Sequence, residues 1–124
     1  MEFRFAHNGL YVLDLQRSIE FYRKALGLTP VRTMRPADQD AELVFLSDGQ
    51  TPHELELACL AGRTAPYELG DNLLHLSMSV PDIDAAKALH ESMGIIVRDP
   101  VGEPVYFIRD PDGYIIEIIP QAKE

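Results

Sequence analysis

The chain of 124 residues is short of several things, and each shortage excludes a class of protein. It has one cysteine, Cys59, and no tryptophan. A single thiol rules out an intramolecular disulfide framework and makes a reducing cytoplasm the expected compartment. No apolar stretch approaches the ~18 residues of a membrane-spanning helix. The opening Met1-Glu-Phe-Arg-Phe-Ala-His7 lacks the apolar core of a secretory signal. Positive charge is scarce: 11 Lys and Arg stand against 20 Asp and Glu, a net charge of −9. Such a field repels phosphate backbones and anionic lipid, so neither nucleic acid nor a membrane surface is an expected partner. Phosphate-cradling and dinucleotide-binding glycine patterns are missing as well. The remaining composition, 46% hydrophobic and 25% charged, is that of an ordinary globular chain. Its length suits one domain, 1–124, with enough residues to bury a core.

What is present is an internal repeat. From His7 the chain runs His-Asn-Gly-Leu-Tyr-Val-Leu-Asp14, and from His75 it runs His-Leu-Ser-Met-Ser-Val-Pro-Asp82. Gly27 closes the first segment and Gly94 the second. Phe45-Leu-Ser-Asp-Gly49 then leads to Glu56, as Phe107-Ile-Arg-Asp-Pro-Asp-Gly113 leads to Glu117. Each copy therefore begins with a histidine and ends with a glutamate. Each also parses alike: a strand from the histidine, an Asp N-cap, a helix, a stopping glycine and three strands. Leu15, Ile19, Tyr22 and Leu26 mark the apolar face of the first helix, with Phe21 beside them. Ile83, Ala86, Leu89 and Met93 mark that of the second. The strands are expected at 7–12, 28–34, 42–46, 53–60, 95–98, 105–109 and 114–119, with one more beginning at His75. The fold class is α+β: two tandem βαβββ modules, near 1–62 and 73–120, forming a curved mixed sheet with the helices outside.

Strand alternation assigns faces. Leu55, Leu57 and Cys59 share an apolar face that packs under the helix, so Glu56 points the other way. Ile116 and Ile118 likewise oppose Glu117, whose same-face neighbours are Ile115 and Ile119. A carboxylate in apolar surroundings is costly unless protonated or paired with a cation. With His7 and His75 heading the equivalent strands, two His and two Glu form a normal ligand set for a divalent first-row metal. The other chemistry-bearing residues have plainer readings. His53 sits beside Pro52 in a loop, His90 faces solvent on the second helix, Cys59 fills core space, and Asp110-Pro-Asp-Gly113 is a turn rather than a calcium loop.

At these residues the chain resembles the vicinal oxygen chelate superfamily, and within it the glyoxalase I (lactoylglutathione lyase) family. The resemblance is carried by Asp14-Leu-Gln-Arg-Ser-Ile-Glu-Phe-Tyr22, Leu55-Glu-Leu57, Tyr67-Glu-Leu-Gly70, His75-Leu-Ser-Met-Ser-Val80 and Asp110-Pro-Asp-Gly-Tyr114 with Glu117. It implies a domain-swapped homodimer whose metal site takes His7 and Glu56 from one chain and His75 and Glu117 from the other. It also implies a lyase that isomerises the hemithioacetal of methylglyoxal and a thiol to a thioester, with Glu117 as base and Glu56 as its partner. The compact chain is similar to the class that uses Ni(II) or Co(II) rather than Zn(II). Glutathione or another thiol would be the co-substrate. The family's usual glutathione contacts, an Arg four residues after the first His and an Asn four after the first Glu, are replaced here by Tyr11 and Leu60. The thiol cradle therefore departs from the family pattern. Two alternatives stay open: another metal-dependent enzyme of the superfamily, an epimerase or thiol transferase, and a non-catalytic small-molecule-binding member.

Overall fold

A computed structural model describes residues 1–122. The chain divides into two compact units, Met1–Tyr67 and Glu68–Glu124. The first contains β1 (His7–Tyr11), α1 (Leu15–Leu26), β2 (Thr29–Met34), β3 (Ala41–Ser47) and β4 (Glu54–Leu60). The second contains β5 (His75–Val80), α2 (Ile83–Met93), β6 (Ile96–Arg98), β7 (Tyr106–Arg109) and β8 (Ile115–Pro120). Both are βαβββ, and each expected element is present within a residue or so of its expected ends.

The helices start and stop for the reasons their sequences supply. The Asp14 carboxylate accepts from the Arg17 N–H at 3.0 Å, and that of Asp82 from the Ala85 N–H at 3.0 Å. Each aspartate thereby satisfies an amide that the first turn leaves free. At the other end Gly27 and Gly94 take the left-handed conformation, φ 70° and 68°. Their reversal lets Leu28 N–H donate to Tyr22 O and Ile95 N–H to His90 O.

The first sheet has the order β1-β4-β3-β2 and the second β5-β8-β7-β6. In each the first strand runs parallel to the last, and the other pairings are antiparallel. That arrangement follows from connectivity, since only the helical crossover is long enough to join parallel strands. In the first unit Leu55 and Leu57 are buried on one face of β4. The opposite face carries a second apolar cluster of Ala41, Leu43, Phe45 and Ala58, with Leu60 packed against it. In the second unit Tyr106, Ile108, Ile116 and Ile118 are buried together, Tyr106 opposite Ile118 and Ile108 opposite Ile116.

The structure corrects the reading of the helix faces. Ser18, Tyr22 and Ala25 are the buried positions of α1, and Leu15, Ile19 and Leu26 flank them. Two small residues let the helix approach, and the larger side chains fill the margins. In α2 the buried residue is His90, 2% exposed, whereas Leu89 is 40% exposed. His90 therefore does not face solvent. Its Nδ1 lies 2.7 Å from the hydroxyl of Tyr106, and this hydrogen bond makes burial of the imidazole tolerable. The repeat itself holds the signal: His90 follows Asp82 by the same eight residues that separate Tyr22 from Asp14.

Candidate functional site

Each unit brings one histidine against one glutamate. On the parallel pair β1–β4, Gly9 lies opposite Glu56 and His7 opposite Glu54. The His7 imidazole thus stands one pleat from Glu56 on the same face, and Nε2 lies 3.0 Å from Glu56 Oε2. On β5–β8, Ser77 lies opposite Glu117. His75 Nε2 lies 4.0 Å from Glu117 Oε1. Neither glutamate is fully dry, the side chains being 19% and 25% exposed. Among the described residues no third His, Cys, Asp or Glu joins either pair.

The donor chemistry fits a divalent first-row metal. Imidazole nitrogen and carboxylate oxygen each bind such ions at about 2.0–2.2 Å, so two of them at a right angle around one ion stand about 3 Å apart. The 3.0 Å separation of His7 and Glu56 has that value already, and the second pair is wider.

Around each pair stands a matching support that the sequence reading left without a role. The Phe45 ring is perpendicular to His7 at 5.5 Å between centroids, and the Phe107 ring to His75 at 5.9 Å. The Arg32 guanidinium lies 3.6 Å from the Phe45 centroid and also donates to Glu54 Oε1 at 2.8 Å. The Arg98 guanidinium lies 5.1 Å from the Phe107 centroid. A ring face attracts a cation, and a perpendicular ring restricts imidazole rotation, so each histidine is buttressed from behind. Phe45 and Phe107 lie directly across from Glu56 and Glu117. The matching places of the two phenylalanines in the repeat were the available signal.

Tyr11 and Leu60 share the face of Glu56. Tyr11 is 41% exposed and tilts against Tyr67 at 5.9 Å between centroids. Leu60 is half-buried against the apolar cluster. Neither position carries a charge. Of the residues given plainer readings, Cys59 is half-buried with its Sγ 3.6 Å from Leu13 O. Asp110 is buried, and its carboxylate accepts from the Asp112 and Tyr114 amides, which is turn chemistry. His53 meets the side chain of Asn8.

Comparison with known proteins bears on the family and the fold. The family model of the Glyoxalase/Bleomycin resistance protein/Dioxygenase superfamily matches residues 4–118. The lactoylglutathione lyase of Escherichia coli O157:H7 is 38% identical over 94% of this chain and 91% of its own length. That of Haemophilus influenzae is 38% identical over 91% and 89%. Among solved structures, a glyoxalase I of Leishmania major described as trypanothione-dependent superposes with a TM-score of 0.84 at 29% identity. The match covers 96% of this chain and 87% of that one. With a family model spanning nearly the whole sequence and relatives of similar length, the chain belongs to the glyoxalase/bleomycin resistance protein/dioxygenase superfamily, in its lactoylglutathione lyase branch.

Proposed function

We propose that this protein is a metal-dependent lyase of the glyoxalase I kind. It would convert the hemithioacetal of a 2-oxoaldehyde, such as methylglyoxal, into a 2-hydroxyacyl thioester. The observation that carries this reading is the His–Glu pair repeated on the same strands of both units. The names and lengths of the relatives support it.

In this reading His7, Glu56, His75 and Glu117 hold one divalent ion, nickel or cobalt in preference to zinc. One unit supplies two ligands, so a four-ligand site needs both kinds of pair. A homodimer in which His7 and Glu56 of one copy meet His75 and Glu117 of another is the proposed assembly, in a cytoplasmic setting. A bound divalent ion would supply Lewis acidity toward the substrate oxygens. The chain's own residues move the proton. Glu117 removes it from one carbon of the hemithioacetal, and a carboxylate delivers a proton to the neighbouring carbon, with Glu56 as partner in the exchange. The histidines offer their ring nitrogens as ligands, and the perpendicular rings of Phe45 and Phe107 limit their rotation.

The thiol is the variable part. Tyr11 cannot form the bidentate ion pair that an Arg makes with a carboxylate, and Leu60 offers no polar contact. A thiol with a less polar tail, or one held by other contacts, fits these positions better than glutathione. The test is metal analysis of the purified protein beside thioester formation from methylglyoxal with several thiols. One divalent ion per site and turnover with at least one thiol are expected. Metal content unchanged in a His7→Ala, His75→Ala double variant would overturn the ligand assignment. In a second arm, mixing His7→Ala chains with His75→Ala chains should restore complete sites and activity; no recovery on mixing would exclude the shared site.

A further inference from the structure

The two half-sites differ at one position that the repeat makes equivalent. Two residues after the histidine, the first unit has Gly9 and the second has Ser77. Each lies directly across the parallel strand pair from its glutamate. The Ser77 hydroxyl donates to Glu117 Oε1 at 2.9 Å. His75 Nε2 approaches the same oxygen, at 4.0 Å. Both polar neighbours therefore converge on Oε1, and the other carboxylate oxygen is left to act. At Glu56 the arrangement is different: His7 takes Oε2, and a Cβ built on Gly9 would stand 3.8 Å from Oε1. That is ordinary contact distance, so the first unit has room for a side chain at this place and does without one.

Resting on the function proposed above, we infer that Ser77 is a positioning residue for Glu117. Its hydroxyl fixes the carboxylate plane and dedicates one oxygen, so Glu117 meets substrate and metal in a single orientation. Glu56, opposite a glycine, has no hydroxyl across the strand pair and is met by His7 at Oε2 instead. The Ser77 hydrogen bond is already formed in the free chain. It strengthens when a ligand covers the face, because a dry site raises the worth of every polar contact in it. Orientation then matters most during turnover, which places the effect on kcat rather than KM.

The experiment compares wild type, Ser77→Ala and Ser77→Thr in the full chain, by three measurements. Carbon-13 relaxation of the Glu117 side-chain methylenes in metal-free protein reads the positioning directly. Titration with Co(II) reads the cost of ordering the ligand, and steady-state kinetics on the methylglyoxal hemithioacetal reads the consequence. Ser77→Ala should loosen the Glu117 methylenes, weaken Co(II) about 10-fold and lower kcat several-fold with KM nearly unchanged. Ser77→Thr, which keeps the hydroxyl, should restore all three. Equal Glu117 mobility in wild type and Ser77→Ala would overturn the inference, as would equal behaviour of the Ala and Thr variants. If wild type takes up no Co(II) and turns over no hemithioacetal, the functional reading fails. The relaxation contrast still decides the role of Ser77 in that case.

Discussion

In the first unit His7 stands 3.0 Å from Glu56 with Arg32 seated 3.6 Å from the Phe45 centroid; in the second His75 stands 4.0 Å from Glu117 with Arg98 at 5.1 Å from Phe107. The same four residue types occupy the same strands, yet the first set is drawn together and the second is looser. Arg32 is tied down by Glu54, and Phe45 is only 3% exposed. In the second unit β6 has three residues and β7 four, so a smaller sheet backs the site. There a serine hydroxyl holds the glutamate instead. The cores show a parallel exchange. The first unit fills its interior with Tyr22 from the helix, whereas the second uses Tyr106 from the strand with His90 from the helix. One His–Glu pattern is thus compatible with two different supports, because the pattern needs only strand register while the support depends on packing.

The largest test of this comparison is loss of the glutamates. Glu56→Gln and Glu117→Gln should each leave the fold intact, as judged by circular dichroism. Each should lower thioester formation by about 10²–10⁴-fold, the range for a positioned acid–base group. Unequal losses would sharpen the distinction between the serine-held and the histidine-held carboxylate; equal losses would erase it.

A smaller change is expected at Tyr11 and Leu60, which both lie in the first unit. Tyr11→Arg with Leu60→Asn adds one charge-assisted and one neutral hydrogen bond, together roughly 2–4 kcal/mol. Glutathione-dependent kcat/KM should rise by about thirty- to a thousand-fold. An ordinary wild-type rate with glutathione, unchanged by the double substitution, would show that these positions do not contact the thiol.

Alkaline pH should separate the two cores. Burial pushes the Tyr106 hydroxyl up to about 12. Its folded value lies above its unfolded value of about 10, so the stability it contributes is whole below pH 10. Above that pH the unfolded chain releases the proton first, and the contribution fades as pH rises toward the folded value. The loss amounts to about 2–3 kcal/mol by pH 12. In Tyr106→Phe this component of the alkaline decline in urea-unfolding free energy should vanish, with a cost of about 1–2 kcal/mol at neutral pH from the lost His90 bond. A decline of unchanged size in Tyr106→Phe would place the sensitivity elsewhere.

The smallest expected difference lies between the two arginines. Arg32→Met removes a close cation–ring contact and an ion pair, and should destabilise by about 1 kcal/mol. Arg98→Met removes a longer contact and should cost less than about 0.5 kcal/mol. Thermal unfolding of both variants in low and high salt checks this; equal shifts would mean that the 3.6 Å and 5.1 Å distances carry no energetic difference.

Much of this protein is written locally. Asp14 and Asp82 announce the helix starts, and Gly27 and Gly94 the stops, because capping involves only residues a few positions apart. Alternation places Glu56 opposite Leu55 and Leu57, and Glu117 opposite Ile116 and Ile118, because side chains on a strand change face at every residue. The repeated order of His and Glu is likewise visible without coordinates. Tertiary structure decided what local rules do not reach. Helical spacing admits both Leu89 and His90 to the inner face of α2, and the Tyr106 hydroxyl on a strand sixteen residues away draws in the imidazole. Nothing in the neighbourhood of Ser77 marks it as the partner of Glu117, forty residues on. Strand pairing brings them together, and a hydrogen bond between distant residues exists only once the register of the sheet has been set.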